Sequence, residues 1–481
     1  MGVRVDESDT FMKANDSMTA IHSDLLSPVR SSVVDLNGRL YESRDETGDF
    51  VRKINGSSEG FFRDLFASGV HEKLFEMGFV ETRISEEHGL QDGLTLLHKR
   101  LPFVTYACEW PGEGLRAAIL SMAKIQRSLL DLGLCLKDGH LWNLVFEGAV
   151  PRFVDWGSIA TKDLQVVQAF TNELVQRCLF PLWLKTEGLN WIAGHALRDV
   201  HHLPLDVPEL AYFASGVKSK GRGWFGRKSK LRLDGTPSFE KWLGSFRLGS
   251  SSSPEQELDS IIRATESVSF LPRDTEWASY AGAESTQSIK DPTTWNQKTK
   301  SLVDELVVNV PNKVVDIGCN RGWYSQLMTH IGANYVLGLD IDEASLNTAF
   351  KGSQDDEKIH YSHFDLANPT PAHGLAASYP SPEKRWKADL VLALAVTHHL
   401  VFKRGMNFTL IAESLAAFVD QSGKLVVEFV PSDDVHVKNW MTPDHHWYTL
   451  DNFVDSMSRH FGSVRVVDAF PAPRVLCICD R

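Results

Sequence analysis

The sequence lacks the features that would place it outside a reducing cell interior. Its six cysteines are scattered over 481 residues, with no CxxC pair and no Cys/His cluster at zinc spacing. Neither a disulfide framework nor a structural zinc site is therefore expected. No apolar run approaches the roughly 20 residues that span a bilayer, and the acidic, polar N-terminus does not resemble a secretory signal. These absences predict a cytoplasmic protein without a membrane span.

Basic charge is also scarce. The chain has 50 Lys and Arg against 62 Asp and Glu, a formal net charge of -12, which argues against a protein that binds nucleic acid through its phosphates. The stretch 218–232 is an exception, with seven basic residues and no acidic one. A patch for an anionic partner and a solvated loop both explain it, and a single basic run in an acidic chain favours the loop.

The length exceeds one ordinary core and predicts more than one domain. Hydrophobic residues at 43% and charged residues at 23% are globular values. We predict a flexible lead-in over 1–30 and a first domain over 31–235. A linker over 236–290, which includes a GSSSSP tract, leads to a second domain over 291–481.

The N-terminal half mixes short strands with helices, which predicts an α+β domain. Alternating residues predict a hairpin over 38–54. Apolar residues at helical spacing predict helices over 61–80, 115–134 and near 162–180. Residues 93–110 are typical of strands joined by a turn.

The C-terminal half alternates strands with helices. Five apolar strands are predicted: NKVVDIGC, YVLGLDID, KIHYSHFDL, ADLVLALAV and GKLVVEFV. Helical stretches such as 344–351 and 409–419 separate them. Strands and helices that alternate at this length build a parallel sheet covered on both faces. The sequence therefore predicts a doubly wound, Rossmann-like α/β domain.

A glycine-rich turn follows the first of these strands, in VVDIGCNRGWYS. The strand ends at Asp316, Gly318 makes the turn, Asn320 follows, and Gly322 opens the next helix. Because glycine has no Cβ, such a turn lets backbone N–H groups approach a ligand closely. A dinucleotide site is the alternative, but the spacing is DxGxNxG rather than GxGxxG.

Acidic residues end the next two strands. Asp340 ends the second strand, where a carboxylate suits two ribose hydroxyls, and Asp365 ends the third, where it could accept from an adenine amino group. Ligands bind at the carboxyl ends of such strands. The pattern over residues 293–481 resembles the class I S-adenosylmethionine-dependent methyltransferases. That resemblance implies S-adenosyl-L-methionine as cofactor, with the turn at Asp316 holding its methionine part.

The fourth strand ends in His398 and His399, where the methyl group would point. A histidine titrates near neutral pH and can remove a proton from a hydroxyl or amine acceptor. The two histidines could equally shape the pocket or cap the following helix. Glu428 and His436 either line the acceptor side or are structural. Lys298 either closes the cofactor pocket or belongs to a simple helix start.

The segment LKDGHLWNLVFEGAVPRFVDWGS indicates a different chemistry. Asp138 stands five residues before Asn143, and Asp155 begins an Asp-x-Gly, a spacing that kinase-like enzymes use to orient a hydroxyl and hold magnesium. His140 completes the DxHxxN form, and Lys53 stands where a phosphate-pairing lysine would be. The segment resembles the aminoglycoside phosphotransferase-like kinases, which implies ATP and magnesium.

The match to the kinase-like pattern is incomplete. Leu136 replaces a histidine, Trp156 replaces a phenylalanine, and a glycine-rich loop over the phosphates is missing. Glu72 or Glu76 is expected to pair with Lys53. The stretch PFVTYACEWP (102–111) resembles the strand and hinge against which adenine lies. An inactive kinase-like domain, or a degenerate pocket, fits these departures.

The motifs of both halves occur in one order from about residue 35 to 481. In that order they resemble a family of bacterial two-part methyltransferases of the nodulation protein NoeA type. The resemblance implies a methyltransferase behind a kinase-like segment, with a small-molecule or glycan acceptor in nodulation-signal or surface-sugar modification. A bifunctional kinase/methyltransferase and a pseudokinase-type scaffold with a cofactor-sensing domain are the alternatives.

Overall fold

The computed structural model describes residues 26–29, 38–43, 49–85, 93–198, 239–246, 253–270, 286–354 and 356–481. The chain divides into two compact units, one of residues 1–100 with 374–379 and one of residues 101–373 with 380–481. The basic stretch 218–232 lies outside the described residues, as does most of the lead-in predicted over 1–30.

The first unit is built on an antiparallel sheet. Its strands are β1 (Leu26–Pro28), β2 (Gly38–Ser43), β3 (Phe50–Ile54), β4 (Thr82–Ile84) and β5 (Thr95–His98), in the order β1-β2-β3-β5-β4. The hairpin predicted over 38–54 is confirmed as the pair β2–β3. The prediction of a single helix over 61–80 is wrong, because the chain forms two helices there, α1 (Gly56–Ala67) and α2 (Val70–Met77). Gly69 separates them in a left-handed conformation, φ 74°, that a continuing helix cannot contain.

Residues 101–270 belong to the second unit, and those that the structure describes are mainly helical. The helices are α3 (Gly112–Asp131), α4 (Leu164–Leu174), α5 (Phe180–Thr186), α6 (Asn190–Arg198), α7 (Phe239–Ser245) and α8 (Pro254–Ser267). The helix predicted over 115–134 is α3, which stops before the left-handed Gly133. Two antiparallel strand pairs lie between the helices. They are β6 (Leu134–Leu136) with β9 (Ile159–Thr161), and β7 (Leu144–Glu147) with β8 (Val150–Phe153).

The rest of the second unit is a seven-stranded sheet with its helices. The strands are β10 (Lys313–Ile317), β11 (Tyr335–Asp340), β12 (Ile359–His363), β13 (Ala388–Ala393), β14 (Val419–Phe429), β15 (Ser463–Asp468) and β16 (Val475–Asp480). Their order is β12-β11-β10-β13-β14-β16-β15. The first five of these run parallel, and β16 runs antiparallel to both of its neighbours.

Consecutive buried residues show that both faces of this sheet are covered. In β10 every residue from Val314 to Ile317 is buried, and most of β13 is too. The covering helices are α9 (Gln297–Leu306), α10 (Trp323–His330), α11 (Glu343–Gly352), α12 (Pro382–Arg385), α13 (Thr397–Phe402), α14 (Phe408–Ala416) and α15 (Leu450–Ser458). The predicted Rossmann-like α/β fold is therefore confirmed. Among the described residues, no helix has the length and apolarity to cross a membrane.

The segment that precedes α3 packs on β12, the edge strand of this sheet. Phe103 joins the apolar core of the sheet. The hydroxyl of Thr105 lies 3.0 Å from Nε2 of His360, and Ser362 Oγ donates to the carbonyl of Glu109 at 2.9 Å. Side chains two residues apart share one face of a strand, so the segment covers one face of β12.

These contacts replace the strand and hinge that the sequence predicts over 102–111. The only regular element there is a short 3-10 helix, Ala107–Glu109. The carbonyl of Val104 accepts from Trp386 Nε1 at 2.8 Å and from Arg385. The compact units accordingly divide at residue 100, not at the linker predicted over 236–290, because residues 101–198 bond to side chains that the sequence places in the second domain.

Candidate active site

The glycine turn after β10 is held tightly against its neighbours. Gly318 and Gly322 adopt left-handed conformations, φ 80° and 78°. A Cβ on Gly318 would lie 2.2 Å from Cγ2 of Val396, and one on Gly322 would lie 2.1 Å from the Tyr361 hydroxyl. Asn320 is also left-handed, φ 50°, which is uncommon for a residue with a side chain and is found at functional sites.

Asp316 is the penultimate residue of β10, just before this turn, and is only 2% exposed. Its carboxylate accepts a hydrogen bond from Ser325 Oγ at 2.6 Å. Burial raises the pKa of Asp316 to about 6, the hydrogen bond from Ser325 opposes the rise, and the charge of Asp340 adds to it. A buried carboxyl beside a second carboxyl suits a ligand that brings positive charge.

Asp340 ends β11, and its two oxygens hold two loops in place. Oδ2 accepts from the Asn320 N–H at 2.8 Å, and Oδ1 accepts from the Asp342 N–H at 2.8 Å. Burial raises the pKa of the Asp340 carboxyl, and these N–H groups oppose that rise. The predicted ribose carboxylate and the predicted glycine turn are therefore in direct contact.

Asp365 follows β12, at the same end of the sheet as Asp316 and Asp340, where the parallel strands have their carboxyl ends. The N–H of Phe364 donates to the carbonyl of Asp340 at 2.8 Å, which joins the ends of β11 and β12. The Asp365 carboxylate accepts from the Ala367 N–H at 3.0 Å and pairs with Arg404, whose side chain is 42% exposed. This ion pair is at the surface, where such pairs are weak, so a ligand can compete for the carboxylate.

His398 and His399 lie in the first turn of α13, which begins at Thr397, and not at the end of the strand as predicted, because β13 already ends at Ala393. Their ring centroids are 3.9 Å apart, and the ring of Trp440 stacks on His398 at 6.0 Å. His398 is 3% exposed, and its buried Nδ1 makes no hydrogen bond with any described residue. Burial, followed by the nearby charges of His399 and Arg474, lowers the pKa of His398 to about 2. The imidazole is therefore neutral at physiological pH.

A buried network of charged side chains adjoins these histidines. Lys298 Nζ lies 3.3 Å from Oε2 of Glu428, which is fully buried, and Arg474 lies 3.7 Å from Oε1 of the same carboxylate. Arg474 also donates to Asp434 at 2.8 Å. The Asp434 carboxylate in turn accepts from the backbone N–H of His436 at 2.9 Å.

Sequence reasoning identified three members of this network but not its other two. Lys298, Glu428 and His436 were candidates, whereas Arg474 and Asp434 were missed. Arg474 belongs to the turn between β15 and β16, far along the chain from the strand ends it contacts. No local sequence pattern identifies Arg474 as a site residue. Its position between the acidic side chains of Glu428 and Asp434, seen in the structure, identifies it.

The structure also brings together the residues of the DxHxxN segment. The charges of Asp138 and Asp155 both act on His140, whose pKa burial lowers. Asp155 accepts from the Gly157 N–H at 3.1 Å. Two buried nitrogens, Nδ1 of His140 and Nδ2 of Asn143, make no hydrogen bond with the described residues. In the part of the chain that the structure describes, no three His, Cys, Asp or Glu side chains are arranged to hold a metal.

Lys53 lies in the first unit, on β3. Burial lowers the pKa of its ammonium group, which lies 4.9 Å from the ring centroid of Tyr41. The expected ion pair with Glu72 or Glu76 is not formed, although the structure describes all three residues. On β3, Lys53 is therefore a half-buried lysine beside an aromatic ring and not one half of a lysine–glutamate pair.

With the site in place, comparisons with known proteins define its class. Residues 292–461 match the sequence model of a family described as a methyltransferase domain. This match and the similarity to a nodulation protein show that the chain is an S-adenosylmethionine-dependent methyltransferase. It is similar to the nodulation protein NoeA of Rhizobium meliloti (strain 1021), with 28% identity over 437 residues, 86% of this chain and 87% of that protein.

Solved methyltransferase structures are also similar to this chain, with lower sequence identity and over a smaller part of the chain. The N-methyltransferase NodS from Bradyrhizobium japonicum WM9, in complex with S-adenosyl-L-homocysteine, is 14% identical over 41% of this chain and 96% of its own, with a TM-score of 0.28. An S-adenosylmethionine-dependent methyltransferase from Mesorhizobium loti is 17% identical over 40% of this chain and 100% of its own, with a TM-score of 0.29. At these values neither structure bears on the substrate of this chain.

Proposed function

We propose that the chain methylates a hydroxyl or amine of a small molecule or glycan, at the carboxyl ends of β10 to β14. The observation that supports this most is the contact between the Asn320 N–H and the Asp340 carboxylate at 2.8 Å. It joins the glycine turn to the acidic end of the next strand, where a ligand of an open α/β sheet binds. S-adenosylmethionine brings a methyl group that is already activated for transfer.

Each acidic side chain would hold a different part of that cofactor. Asp340 would accept from the two ribose hydroxyls, and Asp365 would accept from the adenine amino group once Arg404 moves aside. Asp316 would face the methionine end, where an ammonium group would compensate for its burial. The glycine turn would lie against the cofactor. The Asp340 carboxylate is already held in position by the N–H groups of Asn320 and Asp342, so little reorganisation is needed when the cofactor binds.

On the acceptor side, Nδ1 of His398 and Oε1 of Glu428 are buried and accept no hydrogen bond from the described residues, although Arg474 lies 3.7 Å from the glutamate oxygen. A hydroxyl or amine can donate to both kinds of atom, and a buried polar atom left unsatisfied is costly. Because the pKa of His398 is about 2, we expect it to orient the acceptor as a neutral hydrogen-bond acceptor. Proton removal would then fall to His399, or to water once the methyl has been transferred.

The biological acceptor is proposed from the name of a similar protein. The similar protein NoeA is named for nodulation, and a signal glycan or surface sugar is therefore our first candidate. The experiment is to incubate the purified chain with S-adenosylmethionine labelled in the methyl group and cell extract, and to fractionate whatever becomes labelled. Label that appears with the wild-type chain and not with Asp340→Ala supports the proposal. No labelled product in any extract, with the cofactor bound, would instead favour a cofactor-sensing scaffold.

A second candidate is phosphoryl transfer by a kinase-like N-terminal half. Its support is that two buried nitrogens, Nδ1 of His140 and Nδ2 of Asn143, find no hydrogen-bond partner among the described residues. The charges of Asp138 and Asp155 act on His140, and the strand pair β7–β8 connects Asn143 to Asp155 along the chain. These groups of the second unit would hold ATP and magnesium. ATP binding that needs magnesium and is lost in Asp155→Ala would support it, whereas no binding would leave this half as a pseudokinase-type scaffold.

A further inference from the structure

We propose that Lys185, which lies outside the methyltransferase domain, is a positioning residue for the cofactor loop. The loop is the segment from Asp340 to Glu343, between β11 and α11. The inference rests on the proposed role of Asp340 in binding the cofactor ribose. It adds that a side chain from the helical part of the second unit fixes where Asp340 stands.

Glu343 receives the contact. It is the first residue of α11 and lies three residues after Asp340. Lys185 Nζ lies 3.0 Å from one oxygen of its carboxylate and 3.1 Å from the other, and the Gly112 N–H donates to the first oxygen at 2.6 Å. The Lys185 side chain is 4% exposed and that of Glu343 16%, so solvent screens this pair little.

The loop is stiff enough to transmit this contact. Asp342 donates its N–H to Oδ1 of Asp340 at 2.8 Å, and its own carboxylate accepts from the Ser345 N–H at 2.7 Å. That second bond caps the first turn of α11, where Glu343 stands. A shift of Glu343 therefore moves the cap, and a shift of the cap moves the carboxylate of Asp340.

Helix α3 contributes to the same clamp with its N-terminus. Besides Gly112, the Glu113 N–H donates to Oδ1 of Asn347 at 2.8 Å, one turn further along α11. The positive end of a long helix favours a carboxylate such as Glu343. Among the residues that the structure describes, Lys185 supplies the full positive charge on this carboxylate, and without it the Glu343 carboxylate keeps the hydrogen bond from the Gly112 N–H.

The test is the binding of S-adenosyl-L-homocysteine to the full chain, measured by titration calorimetry alongside the thermal midpoint. Lys185→Met removes the charge but keeps the length of the side chain. We expect its dissociation constant to rise about tenfold, and Lys185→Arg to restore most of the affinity. Glu343→Gln should weaken binding similarly, and adding Lys185→Met to it should cause little further loss. In turnover, the KM for S-adenosylmethionine should rise while kcat stays the same.

The matched control is Lys351→Met. Lys351 also joins α11 to α3, through Glu113 at 2.9 Å, but its side chain is 57% exposed, so we expect unchanged affinity. Variants of Lys185 that lose thermal stability but bind like the wild type would overturn the proposal. If Lys185→Met does not fold, Glu343→Gln and Lys185→Arg decide in the same way. A wild-type chain that does not bind S-adenosyl-L-homocysteine would overturn the proposed function itself.

Discussion

Arg385 and Glu109 form a buried ion pair, with Nη2 and Oε1 2.6 Å apart and side chains 5% and 1% exposed. The two residues are 276 positions apart, yet they join the segment before α3 to the helix before β13. Arg385 also lies over the ring of Tyr106, 3.9 Å from its centroid. The pair thus fastens the N-terminal part of the second unit to the methyltransferase sheet.

Removing one partner of this pair should destabilise the chain strongly. Arg385→Met leaves the Glu109 carboxylate buried without its cation, and we expect the free energy of unfolding to fall by about 3–5 kcal/mol. Chemical denaturation followed by fluorescence measures it. Arg63→Met breaks the exposed pair with Glu59 and should cost less than about 1 kcal/mol. Equal losses in the two variants would contradict a structural role for the buried pair.

The glycine turn should not tolerate a methyl group at Gly318. The new Cβ would lie 2.2 Å from Val396, and the left-handed backbone adds strain, so Gly318→Ala should lower stability by about 3 kcal/mol and abolish cofactor binding. Gly352→Ala is the control, because no described residue has an atom within 4 Å of its Cβ position. Adding Val396→Ala should recover part of the stability of Gly318→Ala. Normal stability and normal binding in Gly318→Ala would mean that the turn is looser than the structure shows.

Cofactor binding should depend on pH through Asp316. Its pKa is raised from 3.8 to about 6 by burial, so the free site is protonated below pH 6 and that protonation stabilises the empty fold. A cationic ligand end favours the ionised carboxyl, and binding below pH 6 therefore releases a proton. The affinity for S-adenosyl-L-homocysteine should rise by up to about tenfold per pH unit from pH 5 to 6 and then level off.

Asp316→Asn provides the comparison for this pH dependence. The substitution keeps the shape and the partner Ser325 but cannot ionise, so its affinity should be weak and nearly constant over pH 5 to 7. A wild-type affinity that falls as the pH rises through 6 would contradict the assignment of Asp316 to the cationic end of the ligand.

His398 should not act as a titrating base. With a pKa of about 2 it stays neutral over the whole working range, so the pH profile of kcat should show no inflection that belongs to it. His398→Gln, which keeps a neutral hydrogen-bonding group, should reduce kcat by less than about tenfold, and by less than His399→Gln does. Loss of an inflection of the profile in His398→Gln would assign the base to His398 instead.

The sequence indicated the sheet and its strand ends well, because both depend on local patterns. Apolar strands and the DxGxNxG turn identify β10, and acidic residues mark the ends of β11 and β12. The packing of residues 101–113 on β12 left no such signal. Its backbone carbonyls and Thr105 bond to side chains more than 250 residues away, and such pairings have no periodicity to read.

The acceptor side shows the same limit. Lys298 and Glu428 were separate candidates, but nothing in their spacing indicates that they are 3.3 Å apart or that Arg474 shares the carboxylate. The predicted helix boundary was wrong where a single backbone angle decides it, as the left-handed φ of Gly69 does. Partners of buried charges are set by the tertiary fold, and only coordinates reveal them.

The most direct test of the account is whether one cofactor binds where the ends of β10, β11 and β12 meet. Calorimetric titration of S-adenosyl-L-homocysteine should give one site per chain, and Asp340→Ala should weaken it about a hundredfold. Asp480→Ala, at the end of β16, which lies next to the opposite edge strand β15, should bind like the wild type. Equal affinity in the wild type and Asp340→Ala would contradict the account.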